Sequence, residues 1–215
     1  MNETIVVEQL CKSYKLSKKQ QKLERTKCSE KVALKGLSFT AFRGEVFGLL
    51  GPNGAGKTTT LRILSTLISA DEGIAKVDGL DVASQSAEVR KRIGFLTSEL
   101  KLEDFFTPNY LFDFFGKLYD VKPEVLTERK KALFEKFGVD KYAEVKVGEL
   151  STGMKQKVSL VMSVVHDPNI IIFDEPTNGL DLIAARDVTN FLLDQKVQGK
   201  TILLSTHIFE LAEKL

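Results

Sequence analysis

The stretch "EVFGLLGPNGAGKTTTLRILSTL", Glu45 to Leu67, restricts the possible folds of this chain more than any other. An apolar run without polar alternation reads as a strand buried on both faces; a glycine-rich turn follows, and "KTTTLRILSTL" takes up a helical pattern. The turn from Gly51 to Thr58 fits G-x-x-x-x-G-K-[ST]. Its glycines let backbone N–H groups converge on phosphate oxygens, and the helix N-terminus adds a favourable dipole. Gly51, Pro52, Asn53, Gly54, Ala55 and Gly56 form the cradle. Lys57 is placed to reach the β- and γ-phosphates, the Thr58 hydroxyl to ligate Mg²⁺, and Thr59 completes the set. The chain is therefore expected to be an α/β protein with a P-loop that takes a nucleotide's phosphates together with Mg²⁺.

The remaining sequence agrees with one globular unit. Its 215 residues are 43% hydrophobic and 28% charged, enough to bury a sizeable core. A net charge of +2 gives no global argument for nucleic acid, and none is expected as a partner. Cys11 and Cys28 form no C-x-x-C pair, and His166 and His207 are not spaced as metal ligands. "MNETIVVEQL" lacks a targeting pattern, and no apolar run approaches the ~18 residues needed to cross a bilayer. Work at a membrane would need another chain to span it.

Apolar, β-branched runs recur at "TIVVEQL", "GIAKVDG", "RIGFLTS", "NIIIFDEP" and "KTILLSTH", with helical patterns between them. From about Glu99 to His166 the signal is helical: "NYLFDFFGKLYDV", "PEVLTERKKALFEKFGV" and "MKQKVSLVMSVVHD". This predicts a nucleotide-binding α/β core of residues 1–97 and 167–215, with a helical sub-domain of residues 98–166 inserted in it. Residues 15–31 carry seven basic side chains against Glu24 and Glu30. They read as a solvated loop between early strands, with anionic lipid headgroups or another subunit as the alternative contact.

"IIIFDE", Ile170 to Glu175, is the natural second half of the site, since open α/β sheets bind ligands at the carboxyl ends of their strands. Asp174 is expected to orient Mg²⁺ through its water shell and Glu175 to polarise the attacking water. A second glycine-bearing turn, "LSTGMKQK", opens a helix about a hundred residues after the first; from its residues alone it is a helix cap.

Taken in order, "GPNGAGKTT", "LSTGMKQK", "IIIFDEPTNGLD" and "LLSTH" closely resemble the ATP-binding subunits of ABC transporters, over essentially the whole chain from about Ile5. The resemblance implies a mixed-sheet core, an N-terminal antiparallel β sub-domain and an inserted α-helical sub-domain. It implies ATP hydrolysis by a dimer, expected to be a homodimer, at the cytoplasmic face of a membrane and coupled to a separate polytopic subunit. In that family the LSGGQ-type turn caps the nucleotide of the opposite subunit, a role that falls here to Ser151 and Gly153, with Thr152 and Met154 departing from the pattern. By the same likeness Tyr14 stacks on adenine, His207 contacts the γ-phosphate, and Asp181 couples the two sites.

Two departures stand out. Where the family has glutamine after the strand matching "RIGFL", this chain has Ser98 followed by Glu99, so Ser98 is the candidate metal contact there. That feature, with "STGMKQK" and "VHDP", resembles the sodium-exporting branch and implies export, with sodium as cargo. Family members continue past "IFELAEKL" with another strand pair, whereas this sequence stops at Leu215, so a truncated form is expected.

The helical region is rich in aromatics, with five of the 14 phenylalanines between Phe105 and Phe115. Leu111, Phe115, Leu118 and Tyr119 recur at helical spacing and predict a core stripe. Phe112 and Phe114 fall off it, as candidates for a groove that receives a helix of the membrane subunit. The competing readings are a non-transport ATPase of the same family acting on ribosomes or DNA, and an ATP-loaded switch that does not hydrolyse.

Overall fold

In the computed structural model, which describes residues 2–23, 26–97 and 102–206, the strands sort by direction into two sheets. The antiparallel sheet contains β1 (Glu3–Lys15), β2 (Glu30–Phe42), β4 (Glu72–Val77) and β5 (Leu80–Asp81), in the order β2-β1-β4-β5. The parallel sheet contains β3 (Val46–Leu50), β6 (Ile93–Leu96), β7 (Ile170–Asp174) and β8 (Thr201–Thr206), in the order β3-β8-β7-β6. The helices are α1 (Lys18–Leu23), α2 (Lys57–Leu64), α3 (Ser86–Arg92), α4 (Pro108–Leu118), α5 (Pro123–Phe137), α6 (Thr152–Ser163) and α7 (Leu182–Val197).

The central strands behave as their uninterrupted apolar sequences require: every residue of β7 and β8 is buried. β3 differs. It stands at the margin of its sheet and is only partly covered, with Leu50 44% exposed. Its lack of alternation was a sign of apolar character rather than of full burial.

α2 lies between the two sheets, touching β2 and β4 on one side and β7 and β8 on the other. Leu61, Ile63 and Leu64 are at most 1% exposed there and join Ile5, Val7, Val77 and Leu203 in one apolar cluster. Burying each such side chain contributes roughly 1.5–3 kcal/mol, so the helix that begins at the phosphate turn is held from both sides.

A second cluster joins α4, α5, α6 and α7 to the other face of the parallel sheet through Phe112, Phe137, Val158, Phe173 and Phe191. Thr107 caps α4, its Oγ1 accepting from the Tyr110 amide at 3.2 Å, and Pro108 and Pro123 occupy first-turn positions of α4 and α5. The stripe expected on α4 is displaced. Its buried side is Pro108, Leu111, Phe112 and Gly116, while Leu118 is 63% exposed and Phe115 and Tyr119 are only partly buried. Gly116 explains the shift: a Cβ there would collide with the Leu126 methyls, so the α4–α5 contact runs through a residue with no side chain.

Tyr119 stacks on His166 with ring centroids 3.9 Å apart, and the His166 Nε2 lies 3.0 Å from the Ile93 carbonyl. Burial lowers the His166 pKa to about 4, against a smaller opposing pull from that carbonyl, so the ring is neutral at physiological pH. It packs the end of α4 against the start of β6.

Candidate functional site

The register of the parallel sheet sets the site. Leu50 pairs with Thr206 and Asp174 with Ser205, so the carboxyl ends of β3, β7 and β8 lie side by side at one edge. β3 delivers the glycine turn, and β7 delivers Glu175. His207 and Ser98 lie outside the described residues.

The turn is shaped by its own chain. Gly56 has φ +90°, and a Cβ there would lie 2.6 Å from Leu34 Cδ2 and 2.7 Å from the Ala33 carbonyl oxygen. Both the backbone conformation and the close approach of β2 require glycine. Lys57 is 9% exposed, and its ammonium donates to the carbonyls of Gly51 at 2.5 Å and Pro52 at 3.3 Å. The Glu175 carboxylate stands 3.7 Å from it. The cation expected to meet phosphate is thus already directed into the turn, next to the acid expected to serve as base.

Above the turn is a cavity of about 410 Å³, lined by Pro52 to Thr59, Tyr14 and Glu175. Tyr14, at the end of β1, is 36% exposed, with its hydroxyl 3.4 Å from Thr59 Oγ1. Lys12 lies 5.9 Å from its ring centroid. The cavity therefore has a cationic, N–H-rich floor and an aromatic flank, a combination suited to a phosphorylated ring compound.

The acid pair is held by a residue that the sequence reading did not single out. Ser205 is fully buried; its hydroxyl donates to Asp174, and its Oγ and carbonyl oxygen accept from the Glu175 amide at 3.2 and 3.1 Å. Glu175 has φ +51°, a left-handed conformation costly for a side-chain-bearing residue, and the two contacts to Ser205 anchor it. The signal was available: Ser205 stands in "LLSTH", two residues before the histidine that drew attention. A buried carboxylate that accepts one hydroxyl keeps further acceptor capacity, and its oxygens and the Thr58 hydroxyl are of the hard-oxygen type that suits Mg²⁺. Among the described residues no cluster of three or more His, Cys, Asp or Glu side chains is arranged to hold a metal. A divalent ion here would be shared with the phosphates.

The second glycine turn is elsewhere. Ser151 is the N-cap of α6, its Oγ accepting from the Met154 amide at 3.3 Å. Ser151 and Thr152 are exposed, and a Cβ on Gly153 would meet nothing within 4 Å. No residue of Leu150 to Met154 lines the cavity. Asp181 caps α7, accepting from the Ala184 amide at 2.8 Å, and is followed by Leu182 and Ile183, 90% and 66% exposed.

Comparison with known proteins converges on one family. The family model described as "ABC transporter" matches residues 34–178. The ABC transporter ATP-binding protein NatA of Bacillus subtilis (strain 168) is 42% identical over 85% of this chain and 75% of its own length. The Nod factor export ATP-binding protein I of Burkholderia lata is 40% identical over 86% of this chain and 61% of its own. The chain thus spans under two thirds of the second relative. A bacterial ABC transporter cassette solved as a dimer superposes with a TM-score of 0.84 at 24% identity, covering 98% of this chain and 90% of that one, a likeness of fold. Together with the glycine turn, the acid pair and the capped turn, these findings show that the chain belongs to the ABC transporter family, among its ATP-binding subunits.

Proposed function

We propose that the chain hydrolyses ATP as one half of a dimer and drives export through a separate membrane subunit. The observation that carries the dimer is the contrast between a cavity lined without any residue of Leu150 to Met154 and a second glycine-bearing turn whose Ser151 and Thr152 are exposed. Gly153 lowers helix propensity by roughly 1 kcal/mol relative to alanine, and among the described residues nothing within 4 Å of its missing Cβ needs the space it leaves. A phosphate brought by a second copy accounts for it, with the Ser151 hydroxyl and the first N–H groups of α6 as donors. The exposed Leu182 and Ile183 beside Asp181 would be covered in the same closure.

In the chemical step water attacks the γ-phosphate in line, the bond to the ADP leaving group breaks, and ADP and inorganic phosphate result. Glu175 accepts the proton of the attacking water, and Lys57 exchanges its bonds to the turn carbonyls for phosphate oxygens. Thr58 and Asp174 would hold Mg²⁺, which neutralises charge on the β- and γ-phosphates when bound. Tyr14 stacks on the adenine. His207, next after Thr206, would contact the γ-phosphate, and Ser98 would meet the ion or its water.

Among the described residues no helix is long and apolar enough to cross a membrane, and a row of aromatics supplies a docking face for a chain that does. Phe105, Phe106, Tyr110 and Phe114 follow one another at ring spacings of 4.2, 4.5 and 6.3 Å, and Phe105, Tyr110 and Phe114 are each about half or more exposed. A helix from the cytoplasmic side of the membrane subunit fits such a surface, which would hold this chain peripherally there. Sodium is the cargo implied by the branch resemblance, while one relative of similar identity is named for Nod factor export.

Replacing Glu175 by Gln tests the assignment. Turnover should fall about 10²–10⁴-fold while ATP still drives dimer formation, read by size-exclusion chromatography. Undiminished hydrolysis would overturn the reading.

A further inference from the structure

We infer that the end of β1 and the start of β2 are part of the nucleotide site, with Lys15 and Lys31 drawing the phosphate chain into the cavity from the β1–β2 side. Three observations bear on this. Lys15, Gln20 and Lys31 line the same cavity as the phosphate turn and Glu175. The β-ladder places them: Tyr14 pairs with Lys31 and Lys15 with Glu30, so the two lysines flank the aromatic whose hydroxyl lies 3.4 Å from Thr59 Oγ1. The start of the segment joining the two strands is also built rather than loose. Ser17 and Gln20 form a reciprocal cap, with the Ser17 amide and hydroxyl donating to Gln20 Oε1 at 2.8 Å and the Gln20 amide donating to Ser17 Oγ at 3.3 Å. Leu16 is tied across the segment, its amide donating to the Ser29 carbonyl at 2.8 Å.

Both lysines are exposed, so their effect is that of a field at the mouth of the cavity. Cationic walls raise the local concentration of an anionic ligand and its rate of entry, and salt screens them. The expected selectivity is for charge: triphosphate over diphosphate, and either over an uncharged nucleoside. This inference rests on ATP being the occupant of the cavity.

The experiment uses the full chain carrying Lys15→Glu and Lys31→Glu, with Lys122→Glu and Lys141→Glu, outside the cavity, as a control of equal net charge. Fluorescent mant-ATP, mant-ADP and mant-adenosine are titrated at low and high salt. The expected result is a loss of mant-ATP affinity of about tenfold at low salt, a smaller loss for mant-ADP and none for mant-adenosine. High salt should narrow the gap, and the control should bind like wild type. Equal affinity and equal salt dependence in wild type and variant would overturn the inference while leaving ATP binding intact. So would an unchanged nucleotide affinity with lost binding to vesicles of anionic phosphatidylserine, which would assign the segment to lipid. Failure of the wild type to bind mant-ATP would overturn the ATP reading and this inference with it.

Discussion

Two glycine-bearing turns, each opening a helix, are finished in different ways. At Gly51 to Thr58 the chain itself supplies the reason for Gly56 and for the direction of Lys57. Gly56 is hemmed in by Ala33 and Leu34, Lys57 is directed to the Gly51 carbonyl, and α2 is held between two sheets. At Leu150 to Met154 the helix is capped by Ser151, yet Gly153 faces open space and Ser151 faces solvent. A glycine that its own fold requires is a structural element; one that its fold does not require points to something outside the chain.

The same substitution at both turns breaks the comparison most directly. Gly56→Ala forces a Cβ against a carbonyl in a left-handed conformation, and should cost about 3 kcal/mol of stability along with ATP binding, measured by urea denaturation and mant-ATP titration. Normal binding by that variant would mean the first turn is as tolerant as the second. Ser151→Arg should fold normally and bind ATP as wild type does, yet hydrolyse it about 100-fold more slowly, because the side chain blocks closure of the dimer. Normal hydrolysis would return the turn to a simple helix cap. Gly153→Ala is the smallest and sharpest change: stability should stay level or rise by roughly 0.5 kcal/mol, and steady-state hydrolysis should fall about tenfold, equivalent to about 1.4 kcal/mol in the barrier. Activity that followed stability upward would show that the space at Gly153 has no occupant.

How much of this was legible in the sequence follows from the kind of signal each feature leaves. β7 and β8 were readable because burial on both faces demands continuous apolar residues, and the glycine turn because phosphate binding demands glycines at fixed spacing. β2 escaped notice because "EKVALKGLSFTAF" mixes charged and apolar residues on a strand of largely partial burial. The buried face of α4 was misplaced because Gly116 contributes contact without hydropathy, leaving Leu118 to look like core and Phe112 like surface. Ser205 left no mark because a buried serine is ordinary until the β7–β8 register sets it opposite Asp174. Residues 15–31 read as solvated, and the described ones are exposed or half-buried; the short helix α1 within them buries no residue and so left no apolar stripe to read.

The contact between Gly116 and Leu126 has a mechanical consequence. A Cβ on Gly116 would lie 2.3 and 2.5 Å from the two Leu126 methyls, so α4 and α5 meet at that point with glycine directly against a leucine side chain. Both helices also pack on α6, whose N-cap is Ser151, so a shift of this pair would be felt where the second glycine turn begins.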